Sequence, residues 1–109
     1  MARSIKEYDL QQLGQLSMFF ASERITQHVP DEFWYETLEP ELEEQLDTFM
    51  RFKNKINRSK FMSDFIKACV SFSIRDIDTP LFKAKIEQVV ISQLDALDAQ
   101  TTANMIFFL

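Results

Sequence analysis

Trp34-Tyr-Glu-Thr-Leu38-Glu-Pro-Glu-Leu42-Glu-Glu-Gln-Leu46-Asp-Thr-Phe49 and Phe82-Lys-Ala-Lys-Ile86-Glu-Gln-Val-Val90-Ile-Ser-Gln-Leu94-Asp-Ala-Leu97 are the two stretches on which the fold turns. In each, apolar residues recur at helical spacing and form one face of an amphipathic helix. The second set repeats the spacing of the first at an offset of 48 residues. The segments ahead of them also match. Leu10-Gln-Gln-Leu13-Gly14-Gln15-Leu16 corresponds to Met62-Ser-Asp-Phe65-Ile66-Lys67-Ala68, and again to Thr102-Ala-Asn-Met105-Ile106-Phe107-Phe108. A leading helix, a short turn and a returning helix thus make one repeating unit.

The expected fold is all-α, a single domain of tandem helical hairpins arranged like an α-solenoid, with two full units and the start of a third. Residues 4–30 hold the first leading helix and its turn, and 31–50 the first returning helix. Residues 51–60 form a basic connection, 61–78 the second leading helix and turn, 79–97 the second returning helix, and 98–109 the opening of a third leading helix. Ser4-Ile5-Lys6-Glu7 fits a capping box for the first helix. Asp31 is placed to cap the next. Pro40 lies inside the apolar stripe and predicts a break near Glu39. Asp78-Thr79-Pro80 reads as a cap followed by proline at the first helical position.

Composition narrows the class. One glycine and three prolines among 109 residues are too few for a turn-rich sheet protein. A hydrophobic content of 46% with 11 phenylalanines predicts a packed core rather than disorder, and Phe19, Phe20, Trp34 and Phe72 read as members of it. The net charge of −5 argues against a chain that coats nucleic acid or anionic membrane. No apolar run approaches the ~18–20 residues of a membrane span, and Met1-Ala2-Arg3-Ser4 is too short and mixed for a targeting peptide. Cys69 is the single cysteine, so no internal disulfide forms.

Three stretches resemble a known repeat class: Phe65-Ile66-Lys67-Ala68-Cys69-Val70-Ser71-Phe72, then Asp76-Ile77-Asp78-Thr79-Pro80-Leu81-Phe82, then Leu94 through Ile106. Together they look like the heptatricopeptide and octotricopeptide hairpins of FAST-kinase-like and RAP-domain organellar proteins. Thr102 stands where that pattern prefers leucine, and the turn of the first unit is four residues longer. The resemblance spans roughly residues 8–109. It implies a mitochondrial or plastid setting, and either RNA binding or a structural role in a large organellar complex.

No constellation of catalytic residues is present. One glycine cannot build a phosphate-cradling loop. His28 falls in a connection, and Cys69 on an apolar stripe is inert packing. Glu36, Glu39 and Glu43 share a helix face only if the helix runs on through Pro40, and they lack the Glu-x-x-His partners of a carboxylate metal site. Asp76, Asp78 and Glu87 mimic three positions of a calcium loop, but Leu81 replaces its essential glycine. Asp76 and Asp78 therefore read as turn and cap residues. No cofactor and no small-molecule substrate is expected.

Two surfaces remain. Residues 31–48 hold eight acids and no base, and residues 51–60 hold Arg51, Lys53, Lys55, Arg58 and Lys60 with no acid. Acids at the start of a helix and bases past its end suit the helix dipole. The same basic run, with Phe52 and Phe61 interleaved, is a candidate contact for RNA or an acidic partner. At the C-terminal end, Ile106, Phe107, Phe108 and Leu109 form an apolar run that a partner, or further chain, is expected to cover. The expected function is that of a non-catalytic structural or interaction subunit of a multi-protein complex, with an organellar RNA-binding or ribosome-associated protein as the alternative.

Overall fold

A computed structural model describes residues 8–22 and 29–108. Among them there is no strand. They form helix α1 (Leu10–Ala21), a π-helical turn (Phe33–Leu38) running into α2 (Glu39–Phe52), then α3 (Arg58–Ile74), α4 (Pro80–Ser92) and α5 (Ala99–Phe108). Short 3-10 turns follow α2 at Lys53–Lys55 and α4 at Leu94–Ala96. The all-helical expectation holds at this level.

Helix starts follow capping chemistry. The cap expected at Ser4–Glu7 lies outside the described residues. The described α1 opens on a different box, in which the Gln12 amide donates to Asp9 Oδ1 at 2.7 Å and the Asp9 amide to Gln12 Oε1 at 2.9 Å. At α3 the Lys60 amide donates to Asn57 Oδ1 at 3.1 Å, and at α5 the Thr101 amide donates to Asp98 Oδ1 at 2.7 Å. Pro80 occupies the first turn of α4 as expected, but Thr79 ahead of it makes no side-chain cap.

Helix α3 ends in a Schellman turn. Asp76 takes the left-handed conformation at φ 58°. The Ile77 amide donates to the Phe72 carbonyl at 2.8 Å, and the Asp76 amide to Ser73 at 3.1 Å. Ile77 and Phe72, the apolar pair that accompanies this motif, are both buried.

The break expected at Glu39 is absent. The backbone stays helical at Leu38 and Glu39, and the Glu39 amide donates to the Trp34 carbonyl, five residues back. Pro40 has no N–H to give and its ring crowds the carbonyl four residues earlier, so a widened turn just before it keeps the helix continuous.

The second apolar stripe is shorter than its spacing predicts. Phe82, Ile86 and Val90 are buried, but Leu94 is 59% exposed and Leu97 only half-buried. The cause is Gln93, where the backbone leaves the helix at φ −123° and the residues after it no longer follow the α4 face.

Helix α3 is apolar nearly all round, with Phe61, Met62, Phe65, Ile66, Ala68, Cys69, Val70 and Phe72 all buried. Such a helix belongs in the middle, and α3 lies between α1 and α5. The three run parallel. Gly14 of α1 faces Asp64 and Ala68 of α3. At the other side Arg58 meets Asp95 just ahead of α5, while Ser73 Oγ donates to the Phe108 carbonyl at 3.3 Å.

Helices α2 and α4 run the opposite way. Phe49 near the end of α2 stacks on Phe61 near the start of α3, at 4.1 Å and 3°. Trp34, ahead of α2, donates from Nε1 to Ser71 Oγ at 3.1 Å. Phe82 at the start of α4 meets Phe72 at 5.5 Å. Lys85 of α4 pairs with Asp47 of α2 at 2.9 Å. Rings therefore connect the helices through the core, each fully buried Phe contributing about 1.5–3 kcal/mol. Phe72 and Trp34 belong to that core as expected and Phe20 is packed against it, but Phe19 is 62% exposed.

Candidate interaction surfaces

The basic run does not form one free patch, because the helix ends draw its members apart. Arg51 is in the last turn of α2, Lys53 and Lys55 in the 3-10 turn, and Arg58 and Lys60 in the first turn of α3. Arg58 is committed to the α4–α5 connection. Its Nη2 meets Asp95 Oδ2 at 2.6 Å, and its Nη1 donates to Gln93 Oε1 at 2.8 Å. The Arg58 guanidinium, by hydrogen bonding first and charge second, holds the Asp95 carboxyl below its usual range. Lys60 pairs with Asp64 at 2.9 Å and reaches Gln11 at 3.5 Å. Among the described residues, no ion pair engages Arg51, Lys53 or Lys55, and Phe52 beside them is 45% exposed. Phe61, the other aromatic expected at this surface, is core.

The apolar end of α5 divides in two. Phe108 is 1% exposed, packed on Phe72 at 6.3 Å, with Lys83 Nζ 5.5 Å from its ring centre. Ile106 and Phe107 point outward at 69% and 59% exposure. Helical spacing explains the split, since Thr101, Met105 and Phe108 share the inward face. Leu109 lies outside the described residues. Leu81, at 86% exposure, and Ile91, at 63%, add outward apolar side chains on α4; neither was legible as such in the sequence.

The acidic helix is partly committed. Asp31, expected as a cap, gives its carboxylate to Arg75 at 3.0 Å instead, and Asp47 pairs with Lys85. Partial burial, helped by the nearby Glu43 charge, raises the Glu39 pKa from its ordinary value. Among the described residues, no group of three or more His, Cys, Asp or Glu is placed to hold a metal. Cys69 is enclosed, and burial pushes its thiol well up. His28 lies outside the described residues.

Two features escaped the sequence. Arg75 donates from Nη2 to the Val29 carbonyl at 2.5 Å, pairs with Asp31 and lies 4.8 Å from the Trp34 ring centre. It fastens the entry of the π-helical turn to the end of α3, using partners too distant in sequence to be anticipated. The second is a groove of about 270 Å³ at the starts of α1 and α3, lined by Leu10, Ile56, Asn57, Lys60, Phe61 and Asp64.

Among the described residues no helix is long and apolar enough to cross a membrane. Comparison with known protein families, curated proteins and solved structures finds no match to this chain.

Proposed function

We propose that this chain is a non-catalytic interaction subunit of a multi-protein assembly and binds a neighbouring protein through the outward face of α5. The observation that carries this reading is the adjacent pair Ile106 and Phe107, left 69% and 59% exposed on a helix whose next residue, Phe108, is fixed in the core. Isolated exposed apolar residues are ordinary. Two large ones side by side, on a helix held firmly at its inner face, offer apolar area that association removes from water.

The parallel course of α1, α3 and α5, with α2 and α4 returning, supports a tandem-hairpin arrangement. In such an arrangement the outer side of the last leading helix is where a further helix docks. The resemblance to organellar hairpin repeats supports a mitochondrial setting for the complex.

The test is gentle extraction of the native particle containing this chain, with and without RNase, and mass spectrometry of its subunits. A large particle that survives RNase, and is lost on Phe107→Glu, is the expected result. A particle that collapses with RNase overturns this reading in favour of an RNA-binding protein. Arg51, Lys53 and Lys55, which no ion pair engages among the described residues, would then be the first contacts to mutate. The two modes also differ in solution: phosphate contacts weaken steeply with salt, whereas apolar burial depends little on salt and gives a large negative heat-capacity change.

A further inference from the structure

From the groove at the other end of α3 we infer a second docking site, one that takes a bulky apolar side chain from an acidic peptide segment of a partner protein. Leu10, Ile56 and Phe61 give it an apolar lining, and as an open depression of about 270 Å³ it has room for a side chain but not for a helix. Its rim carries Lys60, already neutralised by Asp64. The charge that selects a partner therefore comes from next door. Lys55 directly precedes Ile56, and the Ile56 amide donates to the Lys53 carbonyl at 3.4 Å, so the 3-10 turn bearing Lys53 and Lys55 is continuous with the groove wall. Arg51 stands one turn earlier, and no ion pair engages any of the three among the described residues.

A helix start adds to that field. Leu10 is the first residue of α1 and Asn57 caps α3. The helices run parallel, so both starts lie at this groove; the Asp9 carboxylate already meets the α1 end, while the α3 end, capped by the neutral Asn57, adds its positive dipole. On a chain of net charge −5 this is a local reversal of sign, and it favours a partner segment rich in Asp and Glu.

Inside the groove the geometry favours an apolar side chain over a nucleobase, although Phe52 beside Arg51 and Lys53 is 45% exposed. Phe61 stacks on Phe49 at 4.1 Å and on Phe65 at 5.5 Å, and is 8% exposed, leaving no open ring face for a nucleobase. What the groove offers is an apolar lining against which a leucine or phenylalanine side chain can pack. This site goes beyond the α5 reading and shares no residue with it.

The experiment is fluorescence anisotropy with a labelled oligoglutamate peptide carrying one central leucine, a control peptide with alanine in its place, and an oligouridine of matching length. Saturable binding of the leucine peptide is expected, weakened about tenfold or more by the alanine control. The double variant Lys53→Glu, Lys55→Glu, whose side chains lie on the surface, is expected to weaken it by a similar factor with an unchanged circular dichroism spectrum. The inference is overturned if the leucine peptide does not bind, if leucine and alanine peptides bind equally, or if oligouridine binds more tightly and displaces the peptide. Repeating the titration with Phe107→Glu separates the two readings, because α5 contributes nothing to this groove.

Discussion

Asp76 holds a backbone conformation that favours glycine, and it does so at the point where α3 stops. A side chain at φ 58° is strained by contact between Cβ and the neighbouring carbonyl, and aspartate relieves only part of that. Asp76→Gly keeps both Schellman hydrogen bonds and is expected to raise stability by about 0.5–1 kcal/mol, read by urea denaturation. A loss would mean that the Asp76 carboxylate supports the fold in a way the backbone geometry does not reveal. Gly14 presents the converse case. A Cβ there would sit 3.4 Å from the Asp64 carbonyl and 3.7 Å from the Ala68 amide, which is contact without overlap. Gly14→Ala should therefore gain roughly the 1 kcal/mol of helix propensity that glycine costs. Gly14→Leu should push α1 off α3 and destabilise by about 1–3 kcal/mol through overpacking. Both are measured in the same denaturant series. At this scale the sequence was a fair guide where chemistry is local. Asp76 as a turn residue and Cys69 as packing are each set by a few neighbours. It was silent on Arg75, whose hydrogen bond to Val29 spans 46 residues.

Helix existence was legible because apolar periodicity and capping are local, whereas helix ends and faces depended on tertiary partners. Pro40 shows the difference. Its propensity argues for a break, yet Trp34 and Leu38 on one side and Leu42 and Leu46 on the other all belong to one buried stripe. Keeping that stripe continuous outweighs the proline penalty, and the π-helical turn is the compromise. In the other direction, the matching spacing after Val90 predicted a stripe that ends at Gln93, where the backbone leaves the helix and the side chain accepts from Arg58. Element stability also carries a pH signature with two opposed parts. Asp98 is held below its usual pKa, first by the Thr101 amide it caps. Its contribution to α5 is full above the ordinary carboxylate pKa and fades as pH falls through the lowered value. Glu39 is raised, so its neutral form favours the fold, and that contribution is lost as pH rises through its folded pKa. Glu39→Gln should remove the second limb and leave the protein relatively more stable at neutral than at mildly acidic pH, compared with the unaltered chain. Asp98→Asn, which keeps a capping oxygen, should flatten the acid limb alone. Thermal melts from pH 3 to pH 8 distinguish them: if both variants track the parent at every pH, neither carboxylate is coupled to folding.

On the scale of the whole molecule, the question is which apolar residues hold the fold together and which stay exposed on its surface. A radius of gyration of 13.3 Å matches the roughly 13 Å of a compact chain this long, so much of the apolar content is spent internally. Sequence alone could not divide the account, since Ile106, Phe107 and Phe108 read as one run and only packing against Phe72 separates the last from the other two. Replacing adjacent phenylalanines makes that separation measurable. Phe108→Ala empties a site 1% exposed and should cost about 3–5 kcal/mol, a large part of the 5–15 kcal/mol available to a domain. Because α5 packs chiefly on α3, that cost should appear first as faster amide exchange along α5 and only then as a lower global midpoint. Phe107→Ala removes a ring already 59% exposed and should change stability by no more than about 0.5 kcal/mol. If Phe107→Ala destabilised the isolated chain as much as Phe108→Ala, its ring would be serving the fold and would have no free area to give a partner. If instead it left the melt untouched while the native particle lost this subunit, stability and binding would be assigned to two neighbouring residues of one helix.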